Sequence, residues 1–243
     1  MNFDDFKALL IENFYQNHLD QYTTDSHISL FYDLTNIMLE KNQVMNVTAI
    51  RDIEKIIPLH YADCLKIADY IPQGAKVIDI GCGGGFPTLP LAIARPDIQI
   101  LGVDSTDKKV KYVAETAKIL NLSNVNVISA RAEELISFPN IRESFDVVVS
   151  RAVARLCVLD ELCMPFIKIG GHFIVMKGAA GQEELNEAQN GIEKLGGKVV
   201  DTICDKLTVL DETEQREIFV IEKIRTTPVQ YPRQFGQIKK KPL

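Results

Sequence analysis

The chain reads as an α/β protein, a seven-stranded doubly wound sheet preceded by an N-terminal helical extension. Three observations predict this. From residue 76 onward, short apolar runs alternate with amphipathic helical patterns, the mark of βαβ units and a largely parallel sheet. The first run, Ala75-Lys76-Val77-Ile78, enters Asp79-Ile80-Gly81-Cys82-Gly83-Gly84-Gly85, and a second acid, Asp104, follows nineteen residues after Gly85. Before residue 73 the apolar positions step by three and four, which is helical spacing.

Taken in order, Phe3, Phe6, Leu10 and Phe14 make a helical stripe running to about Asp20. A second helix starts at Ser26 or His27, with Leu30, Phe31, Leu34, Ile37 and Met38 on one face. Lys41-Asn42-Gln43 is a polar connection into Val44–Ile50. A third helical stretch covers roughly 52–69, opening or resetting at Pro58. Pro72-Gln73-Gly74 closes the extension, residues 1–72. In the sheet domain, 73–225, strands are expected at 76–80, 98–103, 125–129, 145–150, 171–177, about 199–207 and 217–223. Helices are expected near 87–95, 107–120, 157–168 and 181–195. Pro87 suits a first helical position, where its missing N–H does no harm. Gly170-Gly171 and Gly196-Gly197 are read as helix ends. The last two strands have no helix between them and form an antiparallel hairpin. Residues 226–243 read as a basic tail.

At 243 residues, 46% hydrophobic and 25% charged, the chain can bury a sizeable core. Its N-terminus is acidic where a signal peptide is basic, and no apolar run approaches ~20 residues, so a cytoplasmic protein without membrane spans is expected. The five cysteines form no C-x-x-C pair and no cluster with the histidines, so no metal site is expected. A net charge of −6 argues against non-specific coating of nucleic acid. Beyond Glu222, however, there is no acid, and Lys223, Arg225, Arg233, Lys239, Lys240 and Lys241 are all basic. Charge alone leaves a solvated tail and a nucleic-acid contact equally open. The interleaved Tyr231, Pro232 and Phe235 suit stacking on bases.

A strand running into a glycine loop, with a second acid about twenty residues on, grips a nucleoside cofactor in doubly wound sheets. A dinucleotide G-x-G-x-x-G begun at Gly81 requires glycine at position 86, which is Phe86. The actual D-x-G-x-G-x-G pattern resembles the loop of S-adenosylmethionine-dependent methyltransferases. Gly81, Gly83 and Gly85 let the backbone approach the ligand with φ > 0. Asp104 is placed to accept from both ribose hydroxyls, and Asp79 sets negative charge near an ammonium and a sulfonium.

Further segments narrow the resemblance. Asn46-Val47-Thr48-Ala49-Ile50-Arg51, Gly85-Phe86-Pro87, Arg131-Ala132-Glu133, Ser150-Arg151-Ala152-Val153-Ala154, Met176-Lys177-Gly178 and Tyr231-Pro232-Arg233 are similar to the bacterial ribosomal RNA small-subunit methyltransferase G family, also called glucose-inhibited division protein B. The likeness runs from about Asn46 to Leu243, with Val47 where leucine is usual. It implies a class I methyltransferase sheet that uses S-adenosyl-L-methionine. It also implies methylation of guanine N7 in the 530-loop region of 16S ribosomal RNA. The partner is then that RNA or the small ribosomal subunit, and nothing demands an oligomer, so a monomer is expected. The resemblance places cofactor contacts at Gly81, Phe86, Ala132, Glu133 and Arg151.

Read from the residues alone, Glu133 also serves as a helix N-terminal charge. Arg151 directly follows the fourth strand, at the ligand-binding rim of such sheets. Arg155, four residues on, is expected on the same helix face, holding a phosphate. Lys177 at the end of the fifth strand is an RNA contact or a solvated lysine, and Arg233 is a further candidate RNA contact in the tail. No N-P-P-Y motif of exocyclic amine methylation follows the fourth strand. Cys157, outside a Pro-Cys setting, reads as core filler, and His60 as a packed helix histidine. Guanine N7 carries a lone pair and no proton, so alignment suffices and no acid–base residue is assigned. Three alternatives stay open: a noncatalytic RNA-binding or ribosome-assembly protein with a retained cleft, a methyltransferase of protein or small molecules, and an NAD(P)-dependent oxidoreductase.

Overall fold

A computed structural model describes residues 1–151 and 153–243. Seven strands form one sheet: β1 (Lys76–Ile80), β2 (Gln99–Asp104), β3 (Val125–Ser129), β4 (Phe145–Arg151), β5 (Ile167–Lys177), β6 (Gly197–Val209) and β7 (Glu212–Lys223). Their order is β3-β2-β1-β4-β5-β7-β6, with β7 antiparallel to both its neighbours. The strand order reverses between β1, which runs outward to β2, and β4 on its other side. That switch point is where such sheets open a crevice at their carboxyl ends. The central strands are apolar on both faces, as parallel strands covered twice must be.

Side chains alternate between two cores. Val77, Val147, Val149 and Ile174 face one cluster; Ile78, Val148, Phe173 and Val175 face the other. The first cluster is filled by α1 (Phe3–Gln16), α2 (Asp25–Lys41), α5 (Thr88–Ala94) and α6 (Asp107–Ile119). Phe6, Leu10 and Phe14 of α1, and Phe31, Leu34 and Met38 of α2, are fully buried, while Phe3 stays partly exposed. The second cluster is filled by α7 (Ala132–Leu135), α8 (Leu156–Cys163), α9 (Gly181–Lys194) and α10 (Phe235–Lys240). The N-terminal helices therefore share a core with the sheet. Asn17 strengthens the union: its side chain donates to the Thr208 carbonyl at 3.1 Å and accepts from the Thr208 N–H at 2.8 Å.

The stretch expected as one helix over 52–69 is divided into α3 (Ile53–Ile56), a π-helical turn at Ile57–Ala62, α4 (Asp63–Leu65) and a 3₁₀ turn at Ala68–Tyr70. Pro58 has no N–H to continue the α pattern, and the Asp63 N–H bonds back to its carbonyl five residues earlier. The reset expected at Pro58 is thus a π-turn, and it carries His60.

Three expectations are corrected. Gly170-Gly171 does not end a helix: α8 stops at Cys163, a 3₁₀ turn spans Met164–Phe166, and both glycines lie inside β5. Gly171 is needed there because a Cβ would press on the Asp146 carbonyl at 2.6 Å. Arg151 and Arg155 share no helix face, since Arg151 ends β4 and Arg155 caps α8. Residues 226–243 are not a solvated tail: Tyr231 and Ile238 are buried in the second core, and Lys223, the last residue of β7, is fully buried ahead of them. Lys223 donates to the Met164 carbonyl and to Thr227, and pairs with Glu143; burial lowers its pKa to about 8.

Candidate active site

The carboxyl ends of β1, β2 and β4 open into a cleft of about 440 Å³, within the range of nucleoside-sized pockets. Its floor is the loop after β1. Gly81, Gly83 and Gly85 have φ of +82°, +55° and +90°, where L-residues are strained. A Cβ on Gly81 would overlap the Val153 side chain, and one on Gly85 would reach Leu89 at 2.6 Å. Asp104 at the end of β2 fastens the loop, one oxygen accepting from Gly83 N–H at 3.0 Å and the other from Thr106 N–H at 2.8 Å. A carboxylate has about four acceptor sites, so capacity for a ligand remains.

Asp79 lies beneath this loop. It is completely buried, accepts from the Thr88 hydroxyl at 2.6 Å through one oxygen, and among the described residues has no partner on the other. Burial raises its pKa to about 7. It is absent from the cleft lining, so its charge acts through the loop from below.

Ala132 and Glu133 line the cleft beyond β3 at the start of α7, with the Glu133 side chain largely buried. Opposite, at the end of β4, Arg151 is held by four groups. It donates to the Leu59 carbonyl at 2.8 Å, to Asp63 at 2.9 Å and to His60 Nδ1 at 3.2 Å, and its guanidinium lies over the Phe86 ring at 5.7 Å. His60 stacks on Phe86 with centroids 4.4 Å apart and meets the Thr48 hydroxyl through Nε2 at 2.7 Å. Burial first, then the Arg151 charge, lowers its pKa to about 4, so the ring is neutral near pH 7. His60 is packed, as expected of a helix histidine, and is also a wall of the cleft.

A second cavity of about 440 Å³ adjoins the first. Arg151 and Val153 border both, and Asp63, Lys177, Glu184 and Arg216 complete its charged rim. Lys177 is neither free nor solvated there: it donates to the Ala154 carbonyl at 2.7 Å and pairs with Glu184 at 2.8 Å. Arg155 is half exposed and paired with Glu187 at 2.7 Å. Arg233 is turned inward onto buried Glu161.

Thr48, which the family resemblance brings near the cofactor cleft, lines it. Phe235, Arg131 and Lys109 also line it and were not singled out from sequence as its walls. Only the tertiary fold carries Phe235 to the loop. Phe235 lines this cleft from α10.

The family model for rRNA small subunit methyltransferase G matches residues 27–221. The chain belongs to this family. It is 38% identical over 235 residues to the ribosomal RNA small subunit methyltransferase G of Clostridium novyi (strain NT), covering 96% of both chains. It is 41% identical over 222 residues to that of Brevibacillus brevis, covering 90% of this chain and 92% of the relative. In solved structures, M. jannaschii TYW2 in complex with AdoMet aligns with a TM-score of 0.55 at 18% identity, over 75% of this chain and 80% of that one. Geranyl diphosphate C-methyltransferase from Streptomyces coelicolor aligns at 0.51 and 12% identity, over 67% and 79%. These two likenesses establish the class I methyltransferase fold. Family membership disfavours the oxidoreductase and the noncatalytic readings.

The residues present fit the cofactor of this family, S-adenosylmethionine. Only glycines can hold the left-handed loop, Asp104 lines the cleft with acceptor capacity unused, and a buried Asp79 oxygen with no partner among the described residues lies under the floor.

Proposed function

We propose that the protein methylates N7 of a guanine in 16S ribosomal RNA, using S-adenosylmethionine, as a monomer acting on the small ribosomal subunit in the bacterial cytoplasm. Among the described residues, no helix is long and apolar enough to cross a membrane. The observation that carries the reading is the wall that the two cavities share. The glycine-loop cleft and the charged cavity meet at Arg151 and Val153, so a base bound in the second lies next to the first. Ala132, Glu133 and Asp104 hold the adenosine, Gly81, Gly83, Gly85 and Phe86 flank the methionine portion, and Asp79 complements its positive charge from below.

Bound there, S-adenosylmethionine supplies an electrophilic methyl: the N7 lone pair forms the new N–C bond, the S–C pair returns to sulfur, and no proton moves. The protein's share is alignment. His60, which lines the cleft, has both ring nitrogens engaged and a lowered pKa, so it is not a free base. Arg151 orients the Phe86–His60 wall. Half-exposed Arg155 and Arg131 at the rim are the cations placed to meet phosphates, whereas Lys177 and Arg233 act by holding the rim and α10 in place.

The test is transfer of labelled methyl to 16S RNA, naked or in small subunits, followed by mapping. Label at one guanine, with scission there after borohydride and aniline treatment, is expected because that chemistry reports alkylation at N7. Label on an exocyclic amine or a ribose overturns the reading.

A further inference from the structure

We propose that the Thr48 hydroxyl is the donor that selects guanine, by bonding O6 beside the N7 to be methylated. The proposal rests on the function above, and its observations are the bonds that fix Thr48.

Arg151 is a donor only, so His60 Nδ1, 3.2 Å from its guanidinium, must accept. In a neutral imidazole the single proton then sits on Nε2. Nε2 therefore donates to Thr48 Oγ1 at 2.7 Å. The Ile50 N–H donates to the same oxygen at 3.1 Å. A hydroxyl has two acceptor lone pairs and one proton. Both lone pairs are spent, and among the described residues the proton has no acceptor.

The rest of Thr48 is fixed as well. Asn42 accepts from the Thr48 N–H at 3.1 Å and donates to its carbonyl at 2.8 Å. Asn42 also accepts from Val47 N–H at 2.8 Å, and Val47 packs over Gly84. The loop thus presents one rigid side chain whose unused capacity is a single O–H donor, half-buried in the wall of the cleft.

Its place in the sheet suits the base rather than the cofactor's adenosine. Along the carboxyl ends run β3 with Glu133 beyond it, β2 with Asp104, β1 with the glycine loop, then β4 with Arg151. Thr48 is tied through His60 to the β4 end, beside Val153, where the second cavity begins. Guanine offers two acceptors on one edge, N7 and O6; adenine carries an amino donor in place of O6. With N7 presented to the methyl donor, a lone hydroxyl donor nearby accepts guanine and rejects adenine. Positive charge develops on the ring as N7 is methylated and weakens O6 as an acceptor. The bond therefore serves binding more than the chemical step.

The experiment compares wild type, Thr48→Val and Thr48→Ser on 16S transcripts carrying guanine or 2-aminopurine at the methylated position; 2-aminopurine keeps N7 and lacks O6. Wild type should lose about tenfold in kcat/KM on 2-aminopurine, and Thr48→Val should lose about tenfold on guanine, mainly in KM. Thr48→Val should no longer distinguish the two bases, and Thr48→Ser should restore the distinction. S-adenosylhomocysteine affinity by calorimetry should match wild type in both variants. Undiminished preference for guanine in Thr48→Val, or an equal loss of S-adenosylhomocysteine affinity, overturns the proposal. Absence of any guanine N7 methylation by wild type instead overturns the underlying function.

Discussion

Arg233 wraps the carboxylate of Glu161, which has no solvent exposure, with its backbone N–H at 2.7 Å, its Nε at 2.9 Å and a terminal nitrogen at 2.5 Å. A basic residue in a chain segment without acids is thus an internal fastener. Removing it leaves a buried charge uncompensated. Arg233→Ala should destabilise the protein by about 3–5 kcal/mol in urea unfolding, and Arg233→Ala with Glu161→Leu by markedly less. Equal losses in the single and double variants would contradict the pairing.

The fastener brings Phe235 to the cofactor cleft. Phe235→Ala should weaken S-adenosylhomocysteine binding by roughly 1–2 kcal/mol through lost apolar contact, read by calorimetry. Lys239→Ala, on the exposed side of α10, should leave it unchanged. Equal affinities for wild type and Phe235→Ala would remove Phe235 from the site.

Asp79 gives a pH dependence of definite sign. Its folded pKa of about 7 lies above the ordinary carboxylate value, because burial disfavours the charge. Its protonated form stabilises the fold fully below about pH 4, and that contribution is lost as pH rises through about 7. Relative to Asp79→Asn, ligand-free wild type should lose up to about 1.4 kcal/mol per pH unit over this window. His60 runs the opposite way: its contribution is present above about 6.5 and is lost as pH falls through about 4. Urea titrations of wild type and Asp79→Asn at several pH values between these limits separate the two, since His60 is common to both. Parallel curves would show that Asp79 is ionised in the folded protein.

Asp104 holds Gly83 in the left-handed loop and, in the function proposed, the cofactor ribose as well. Asp104→Ala should therefore weaken S-adenosylhomocysteine binding by about 1–3 kcal/mol. Asp104→Asn, which keeps one acceptor, should lose less. An unchanged calorimetric affinity in Asp104→Ala would take Asp104 out of the cofactor site.

The strands, the glycine loop and the second acid were legible because each is written locally, in apolar runs and in glycines that only a left-handed turn requires. The burial of Asp79 beneath the loop was not, since it follows from Thr88 and α5 closing over it. Arg155 and Lys177 could be placed at the rim from their distance past the strands. Their carboxylate partners, Glu187 and Glu184, lie on α9, and no local pattern pairs them. The tail misled for the same reason: Glu161 and Arg233 are 72 residues apart. Charge clustering in sequence says nothing of where the neutralising acid sits.

Val153 fills the space a Gly81 side chain would need and borders both cavities. Cofactor in the first and RNA in the second, as proposed, meet across this one partition. If filling one chamber shifts that partition and changes affinity in the other, thermodynamic linkage makes the factor identical in both directions. A cofactor that tightens the grip on RNA must itself be gripped more tightly by the RNA-bound enzyme, and its demethylated product, lacking the sulfonium charge over Asp79, then has a reason to loosen both.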